Sequence, residues 1–344
     1  MKNLIGSTLG RYNIRERLGQ GGMAVVYKAY DTHLECDVAV KVIATDQLPP
    51  AQMREILQRF KQEAKEVARL THPNIVRVTD YGEHEGIPYL VMAYMHGGTL
   101  KHKMRQPLSL QRAVQVAILV GKALAYAHEH HMVHRDVKPS NILFTDSDEP
   151  MLADFGITKL LDSQKDGTLT SSGVGLGTPG YMAPEQWLGM VSPSVDIYAL
   201  GIVLYELITG RKPYTADTPA GVMLKQATEP LPDPKSLVAE LPDEVNMMLS
   251  KALQRNPADR YTDMEQLVSA LETLAKSDLS TFVPAISSMP DERTRTPIEP
   301  MSAAVLPKPA PQPVRQIPQP VKPVSRVVKP VPQPVTATPQ PVKP

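Results

Sequence analysis

The pattern of apolar residues in this chain changes from strand-like to helix-like early in the sequence. Up to about residue 100, short alternating runs predict strands with one helix among them. The predicted strands are Tyr12–Leu18, Val25–Tyr30, Cys36–Ile43, Val76–Tyr81 and Tyr89–Tyr94. From there to about residue 275 the pattern is mainly helical, and residues 110–131 carry a buried stripe at three- and four-residue spacing. Strands followed by helices indicate an α+β fold of two unequal lobes with a cleft between them.

Prolines mark a second change of character, because 17 of the 34 lie between Pro284 and Pro344. This region repeats PQPV and VKP units, has almost no aromatic residues and cannot bury a core. From residue 301 onward it carries six Lys or Arg residues and no acidic residue. We expect residues 276–344 to be a disordered, Pro-rich basic tail that serves either as a flexible linker or as an arm for a binding partner.

Bulk properties exclude several classes of protein. The net charge of +1 gives no field that would attract nucleic acid or a membrane surface. A single cysteine, Cys36, cannot form an intrachain disulfide and suits a reducing cytoplasm. The start of the chain lacks the apolar core of a signal peptide. The longest apolar run, Ile197–Tyr205, is far shorter than the roughly 20 residues that span a bilayer, so we expect no membrane span and a cytoplasmic protein.

Three glycines interrupt a strand pattern in the stretch RLGQGGMAVVYKAY, at Gly19, Gly21 and Gly22. Glycine weakens a strand, so it indicates either a tight hairpin turn or the close approach of a bound group such as a phosphate. No GK[ST] follows, which excludes a Walker loop. A strand rather than a helix comes next, which excludes a dinucleotide-binding crossover.

A lysine and a glutamate form the next candidate pair. Lys41 ends the apolar run VAVK, and Glu63 lies on the apolar face of the following predicted helix, beside Phe60, Ala64 and Val67. A carboxylate on such a face needs a partner. Lys41 is the obvious one, and the ion pair would hold its ammonium group against phosphate oxygens. Alternatively, Glu63 lies at the edge of the stripe and reaches solvent.

Two further motifs supply polar groups to one loop region. HRDVKPSN contains Asp136, Lys138 and Asn141, and LADFGITK contains Asp154 just after a short predicted strand. The residues between them, ILFTDSDEPML, predict a hairpin whose base brings Asn141 and Asp154 side by side. Two oxygen donors of this kind suit a hard cation, and Mg²⁺ bound to substrate phosphates uses only one or two protein carboxylates.

With these motifs in this order from Gly19 to Arg260, the chain resembles the eukaryotic-like serine/threonine protein kinases of bacteria. The resemblance implies a bilobal kinase fold over residues 12–275. Its small, β-rich N-lobe with one key helix would cover residues 12–95, and its mostly helical C-lobe residues 96–275.

The resemblance also implies a nucleotide site for ATP. The residues assigned to it are Leu18, Gly19, Gln20, Gly21, Gly22, Val26, Ala39, Lys41, Met92, Ala93 and Met95. Lys41 would hold the α- and β-phosphates and pair with Glu63, and Met92 would be the gatekeeper. Two positions depart from the family pattern, since Ala24 replaces the third glycine of the loop and Ala93 replaces a frequent glutamate. We expect these to change nucleotide affinity slightly.

For the transfer itself, the resemblance assigns Asp136 as the base that orients and accepts the substrate hydroxyl proton and Lys138 as the cation on the moving phosphate. Asn141 and Asp154 would hold Mg²⁺, with Mn²⁺ as the alternative metal. Lys41 and Glu63 complete the catalytic set. The family also pairs a glutamate such as Glu185 with an arginine such as Arg260, and anchors the catalytic loop through an aspartate such as Asp196; both roles are structural.

Lys138, two residues after Asp136, and Thr178 resemble the branch of the family that phosphorylates Ser and Thr. We therefore predict a non-specific serine/threonine protein kinase that uses ATP and acts on Ser/Thr-containing proteins in bacterial signal transduction. The alternative is a pseudokinase or scaffold that binds nucleotide and partners. Scaffolds of this kind have usually lost a catalytic residue, whereas this chain keeps all five: Lys41, Glu63, Asp136, Asn141 and Asp154.

The segment between Asp154 and Glu185 is rich in glycine and hydroxyl residues. We expect autophosphorylation on Thr170, Ser171 or Ser172, with Thr170 favoured, through a dimer that phosphorylates in trans. Arg135 is the cation that family members use to grip such a phosphate. A phosphate carries about −1.5 to −2 charges and would order the loop and bring Glu63 to Lys41.

Overall fold

A computed structural model describes residues 3–21, 24–43, 50–105, 108–155 and 179–276. Gly22, the segment 156–178 with its candidate phosphorylation sites, and residues 277–344 of the expected tail lie outside these ranges. The expected α+β architecture is confirmed: the described chain begins with a β-rich lobe and continues as a mainly helical lobe.

An antiparallel sheet of six strands forms the N-terminal lobe, in the spatial order β1-β2-β3-β4-β6-β5. The strands are β1 (Thr8–Leu9), β2 (Tyr12–Gln20), β3 (Ala24–Asp31), β4 (Cys36–Ile43), β5 (Val78–His84) and β6 (Ile87–Ala93). Each of the five predicted strands is present, with shifts of a few residues at some ends. The short edge strand β1 is additional, and it pairs with the start of β2.

The two faces of this sheet pack into different cores because side chains alternate along a strand. In β4, Val38, Val40 and Val42 enter a cluster made only of N-terminal lobe residues. Ala39 and Ile43 enter the large core that continues into the C-terminal lobe. Lys41 lies between these two in the same alternation and is itself buried. Strand periodicity therefore turns this lysine toward the second lobe.

Helix α1 (Pro50–Arg69) is the helix expected within the β-rich lobe, and it packs against β5 and β6. Phe60, Ala64 and Val67 are buried at the predicted three- and four-residue spacing. Glu63 is half-buried next to them.

Helices dominate the C-terminal lobe. They are α2 (Leu100–Lys103), α3 (Leu110–Glu129), α4 (Ser194–Thr209), α5 (Pro219–Thr228), α6 (Asp243–Ala252) and α7 (Met264–Lys276). Helix α3 confirms the stripe predicted for residues 110–131. Helix α4 is buried almost all round and contacts α3, α6 and α7, so it is the centre of this lobe. Among the described residues, no helix is both long and apolar enough to cross a membrane.

A small hairpin, β7 (Ile142–Phe144) and β8 (Pro150–Leu152), confirms the hairpin predicted from ILFTDSDEPML. Leu152 also pairs with Ile75, which precedes β5, and the amide of Val76 donates to the carbonyl of Leu152 at 2.9 Å. The hairpin is thus joined to both lobes. Asn141 lies directly before β7 and Asp154 lies two residues after β8, so two of the predicted site residues flank the hairpin.

Candidate catalytic site

Asp136 is held by two neighbours in its own loop. Lys138 Nζ lies 2.7 Å from Asp136 Oδ2, and Asn141 Nδ2 donates to the same oxygen at 3.1 Å and to the Asp136 carbonyl at 2.8 Å. Asn141 occupies a short 3₁₀ turn that runs directly into β7. The three residues predicted to share one loop are therefore brought together as a hydrogen-bonded cluster.

A buried carboxylate of α4 anchors the loop that contains Asp136. Asp196 accepts hydrogen bonds from the backbone amides of His134 and Arg135, both at 2.8 Å, and its Oδ2 lies 2.8 Å from Nε2 of His128. Burial opposes ionisation, but the His128 contact and the amide donors outweigh it and lower the pKa of Asp196. The anchoring role expected for Asp196 fits this geometry.

His134 is fully buried directly before this loop. Its Nδ1 accepts from the amide of Asp136 at 3.2 Å, and its Nε2 lies 2.8 Å from the carbonyl of Ala153. These partners require a neutral ring with the proton on Nε2. Burial lowers the pKa of His134 and favours the same neutral form. The ring also packs against Phe155, with centroids 4.6 Å apart, so it connects the Asp136 loop to the residue after Asp154.

The expected ion pair between Lys41 and Glu63 is wrong for this structure. Lys41 Nζ lies 3.0 Å from Asp154 Oδ1 instead, and within the described ranges no ion pair joins Lys41 to Glu63. Burial would raise the pKa of Asp154, but Lys41 provides opposite charge and a hydrogen bond and keeps it lowered. Glu63 does not pair with Lys41 because α1 places its carboxyl group in a cavity that Glu66 and Arg135 also line.

Glu63 lines a cavity of about 660 Å³ between α1 and the segment that follows α3. Glu66 and Arg69 from α1, Glu129, His130 and His131 from the end of α3, and Arg135 and Phe155 from the loops line the same cavity. Burial raises the pKa of Glu63 to about 7, and the negative charge of Glu66 adds to the rise while Arg135 opposes it. In this arrangement the carboxyl group is therefore partly protonated at neutral pH.

A pH-dependent stability follows from Glu63. Its pKa in the folded state is raised above the unfolded value, so the cost of ionising it is absent below about pH 4.5 and fully present above about pH 7. We expect Glu63→Gln to be more stable than the parent at pH 8 by about 1 kcal/mol, or a Tm about 2 to 4 °C higher, and to lose this advantage toward pH 5. Thermal unfolding at pH 5.5 and at pH 8 measures the change.

Glu265→Gln provides the control, because Glu265 is an exposed carboxylate in the first turn of α7. Its effect on Tm should be the same at pH 5.5 and pH 8. If Glu63→Gln instead became less stable than the parent as pH rises, Glu63 would be ion-paired in solution and the arrangement described here would be incorrect.

Five of the residues expected to contact the nucleotide, Val26, Ala39, Met92, Ala93 and Met95, pack on or against the core that continues into the C-terminal lobe. Strand register places Gly19 opposite Val26 and Val26 opposite Lys41, and it places Ala39 opposite Met92. Leu18, Gly19, Gln20 and Gly21 are exposed, Val26, Ala93 and Met95 are half-buried, and Ala39 and Met92 are buried. The turn after β2 is closed by a hydrogen bond from the Gly21 amide to the Ala24 carbonyl at 2.8 Å. The half-buried and buried positions therefore face inward, while Gly19 and Gly21 are exposed at the end of β2.

Asn141 and Asp154 lie side by side as predicted, because the amide of Ala153 donates to the carbonyl of Asn141 at 2.8 Å. The amide nitrogen of Asn141 is used by Asp136, which leaves its side-chain oxygen as an acceptor. Asp154 keeps its negative charge because its pKa is lowered. A carboxylate and an amide oxygen are ligands that a hard divalent cation accepts, so the residues present fit a phosphate-bound metal.

Glu185 and Arg260 form the expected structural pair. Arg260 Nη1 lies 2.6 Å from Glu185 Oε1, and Nη2 lies 2.8 Å from Oε2, with both side chains buried. Arg260 also donates to backbone carbonyls of Ser194, Gln254 and Arg255. The pair fixes the segment Pro184–Leu188 to the helical core.

Sequence reasoning missed two residues that support the site. His128 is not among the predicted site residues, yet it contacts Asp196. Its position on the buried stripe, four residues after Leu124, was the available signal. Gln186 was not considered, although its side chain reaches the carbonyl of Arg135 at 3.1 Å. No pattern in the sequence indicates this contact.

Comparison with known proteins identifies relatives over most of the described chain. Residues 12–271 match the family described as the protein kinase domain. A probable serine/threonine-protein kinase of Clostridium perfringens is 37% identical over 308 residues, which cover 88% of this chain and 44% of that protein. The serine/threonine-protein kinase PrkC of Bacillus subtilis is 38% identical over 279 residues, which cover 80% of this chain and 42% of PrkC.

A solved structure agrees with the fold. The crystal structure of the PknI kinase domain of Mycobacterium tuberculosis superimposes with a TM-score of 0.61 at 28% identity, and the match covers 78% of this chain and 98% of that one. The present chain spans less than half the length of the first two curated relatives.

Proposed function

The chain belongs to the protein kinase family, and from this membership and the geometry of the site we propose that it transfers the γ-phosphate of ATP to Ser and Thr hydroxyls of proteins. The observation that carries the proposal is the cluster around Asp136. Its carboxylate is hydrogen-bonded by Lys138 and Asn141 in a loop that a buried aspartate holds from beneath.

Phosphoryl transfer has a loose transition state whose charge is spread over oxygens, so catalysis requires positioning and fixed positive charge more than covalent chemistry. In the proposed mechanism Asp136 orients the substrate hydroxyl and accepts its proton, because an ionised carboxylate offers only acceptors. The side chain of Lys138, 2.7 Å away, supplies positive charge beside the moving phosphate.

ATP would lie beneath the sheet, with the adenine between Ala39 and the backbone of Ala93 and Met95. The exposed glycine edge at Gly19 and Gly21 would let amide groups approach the phosphates. Lys41 would then leave Asp154 and neutralise the α- and β-phosphates.

Asn141 and Asp154 are proposed to hold the divalent cation, Mg²⁺ in preference to Mn²⁺. When bound, the cation neutralises phosphate charge as it develops. A cation held by Asp154 would leave Lys41 without that partner, and pairing with Glu63 would then require Glu63 to lose its proton and α1 to bring it to the lysine.

The functional test is incubation with labelled ATP, Mg²⁺ and a generic basic protein that contains Ser and Thr. We expect label in the protein on Ser and Thr and on this chain itself. A pseudokinase would bind ATP, measured by nucleotide-dependent stabilisation, and transfer no label. Binding without transfer would therefore contradict the proposed activity while leaving the nucleotide site intact.

Autophosphorylation is proposed for Thr170, Ser171 or Ser172, with Thr170 favoured. These residues lie outside the described ranges, and the proposal is supported by Arg135, a cation that borders the Glu63 cavity and whose guanidinium group suits phosphate recognition. Mass spectrometry after incubation with ATP should find phosphate on segment 168–172, and phosphatase treatment should lower activity. A fully active enzyme with an unmodified segment would contradict this prediction.

A cytoplasmic location is part of the proposal and is supported by the single free cysteine, Cys36, which is exposed. A partner for the Pro-rich tail and a dimer that phosphorylates in trans are also proposed. Both depend on residues outside the described ranges. Pull-down with the tail and dilution kinetics of autophosphorylation would test them.

A further inference from the structure

The side chain of Gln186 links the catalytic loop to the segment Pro184–Leu188. Its Nε2 donates to the carbonyl of Arg135 at 3.1 Å, and its Oε1 accepts from the amide of Ala183 at 3.1 Å. Because the Ala183 amide can only donate and the Arg135 carbonyl can only accept, both ends of the carboxamide are fixed. A carboxamide with both ends engaged holds one orientation.

Arg135 is a residue that needs such support. Its φ of 66° lies in the left-handed region, where a non-glycine residue costs about 1 to 3 kcal/mol unless its surroundings hold it. Its amide donates to Asp196 at 2.8 Å on one side, and its carbonyl accepts from Gln186 on the other. Hydrogen bonds therefore hold both polar backbone atoms of Arg135, its amide nitrogen and its carbonyl oxygen.

The Gln186 contact acts on the peptide that joins Arg135 to Asp136. The oxygen of this peptide accepts from Gln186, and its N–H, which belongs to Asp136, donates to Nδ1 of His134 at 3.2 Å. Rotation of this peptide plane would break both bonds and would redirect the Asp136 side chain. The two contacts thus fix the peptide from which the side chain projects, while Lys138 and Asn141 bind the carboxylate itself.

Gln186 stands on a rigid base. Its neighbour Glu185 is held by both guanidinium nitrogens of Arg260, and its own amide donates to the carbonyl of Ala183 at 3.0 Å. The donor that reaches the catalytic loop is therefore fixed relative to the helical core.

We infer that Gln186 is a positioning residue for phosphoryl transfer, which holds the Arg135–Asp136 peptide so that the Asp136 carboxylate faces the substrate hydroxyl. The inference rests on the proposed kinase activity. Gln186 acts through the backbone and contacts neither the nucleotide site nor the metal ligands described above.

Two variants separate this role from a structural one. Gln186→Met keeps the length of the side chain but removes donor and acceptor, and we expect kcat to fall about tenfold with KM for ATP unchanged within about twofold. Gln186→Glu keeps an acceptor for Ala183 but places an oxygen against the Arg135 carbonyl, so kcat should fall at least as far. Gln266→Met is the matched control, since Gln266 is exposed and its described bonds are to Asp263.

Parent-like kcat in both Gln186 variants, with or without a lower Tm, would overturn the inference. The proposed function is tested separately by the parent, because a parent that transfers no phosphate overturns the kinase activity whatever the variants do. In that case amide exchange of Asp136, followed by NMR, still tests the linkage: faster exchange in Gln186→Met supports it, and unchanged exchange overturns it.

Discussion

Asp136→Asn is expected to lower kcat by about a hundredfold or more while leaving KM for ATP within about twofold. Asparagine keeps the size of the side chain and one acceptor, but it cannot take the proton of the substrate hydroxyl. Its amide would also meet the donors Lys138 and Asn141, which now face Asp136 Oδ2 at 2.7 and 3.1 Å. The proposed nucleotide contacts lie in the sheet and just after it and are untouched by the substitution, so nucleotide binding should survive.

Steady-state kinetics with varied ATP and fixed protein substrate measure both constants. Asp146→Asn is a suitable control, because Asp146 is 79% exposed in the turn between β7 and β8. Lys41→Met should give the complementary result, weaker binding of ATP, since it removes the ammonium group rather than the proton acceptor. Turnover at the parent rate in Asp136→Asn would show that Asp136 is not the base.

Arg260→Met should lower the free energy of unfolding by about 3 to 5 kcal/mol. The substitution leaves the Glu185 carboxylate, only 6% exposed, without its partner, and it strips the donor from backbone carbonyls of Ser194, Gln254 and Arg255. Burying an unpaired charge costs far more than the pair contributes over a neutral replacement. Urea unfolding of the two proteins gives the difference directly.

The pair between Lys122 and Glu272 makes a matched comparison, with N–O distance 2.7 Å but side chains 47% and 42% exposed. Lys122→Met should cost at most about 1 kcal/mol, as for most surface pairs. The double variant Glu185→Gln with Arg260→Met should recover part of the loss, because no buried charge then lacks a partner. If Arg260→Met and Lys122→Met lowered the free energy of unfolding by the same amount, the argument from burial would be refuted.

Most of the fold could be predicted because the residues that decide it repeat at short spacing. The alternation of Val38, Val40 and Val42 with Ala39 and Lys41 is visible in the sequence and determines both the strand and the two faces of the sheet. Strand β1 was missed because two residues are too few to show a period. The base of the β7–β8 hairpin was predictable because a short hairpin necessarily brings its two ends together.

The local cluster of the site could be predicted for a similar reason. Asp136, Lys138 and Asn141 lie within six residues, so one tight loop must bring them together. The partner of Glu63 could not be predicted. Helical periodicity indicates which face of α1 holds Glu63, but it does not determine how the helix is placed against the sheet. That placement decides whether the carboxylate meets Lys41 or the cavity near Arg135.

Local sequence patterns also could not predict contacts between distant segments. His128 and Gln186 support the Asp136 loop from positions on either side of it in the sequence, and each does so through one polar atom. Nothing in the neighbours of Gln186 distinguishes it from other polar residues in a turn, and the buried stripe of α3 shows that His128 faces inward without showing its partner. Such contacts depend on the packing of whole elements, which short sequence windows do not contain.

Asp196 has a consequence for the order in which this chain matures during synthesis. The ribosome releases the loop residues His134 and Arg135 well before α4 (Ser194–Thr209), yet their amides are held by an aspartate of that helix. A nascent chain that ends before α4 therefore contains Asp136, Lys138, Asn141 and Asp154 but lacks the anchor of their loop. Domains usually fold as units during translation. The proposed phosphoryl transfer accordingly requires α4, which is buried almost all round, to be made and packed first, and this would keep unfinished chains from acting on ATP.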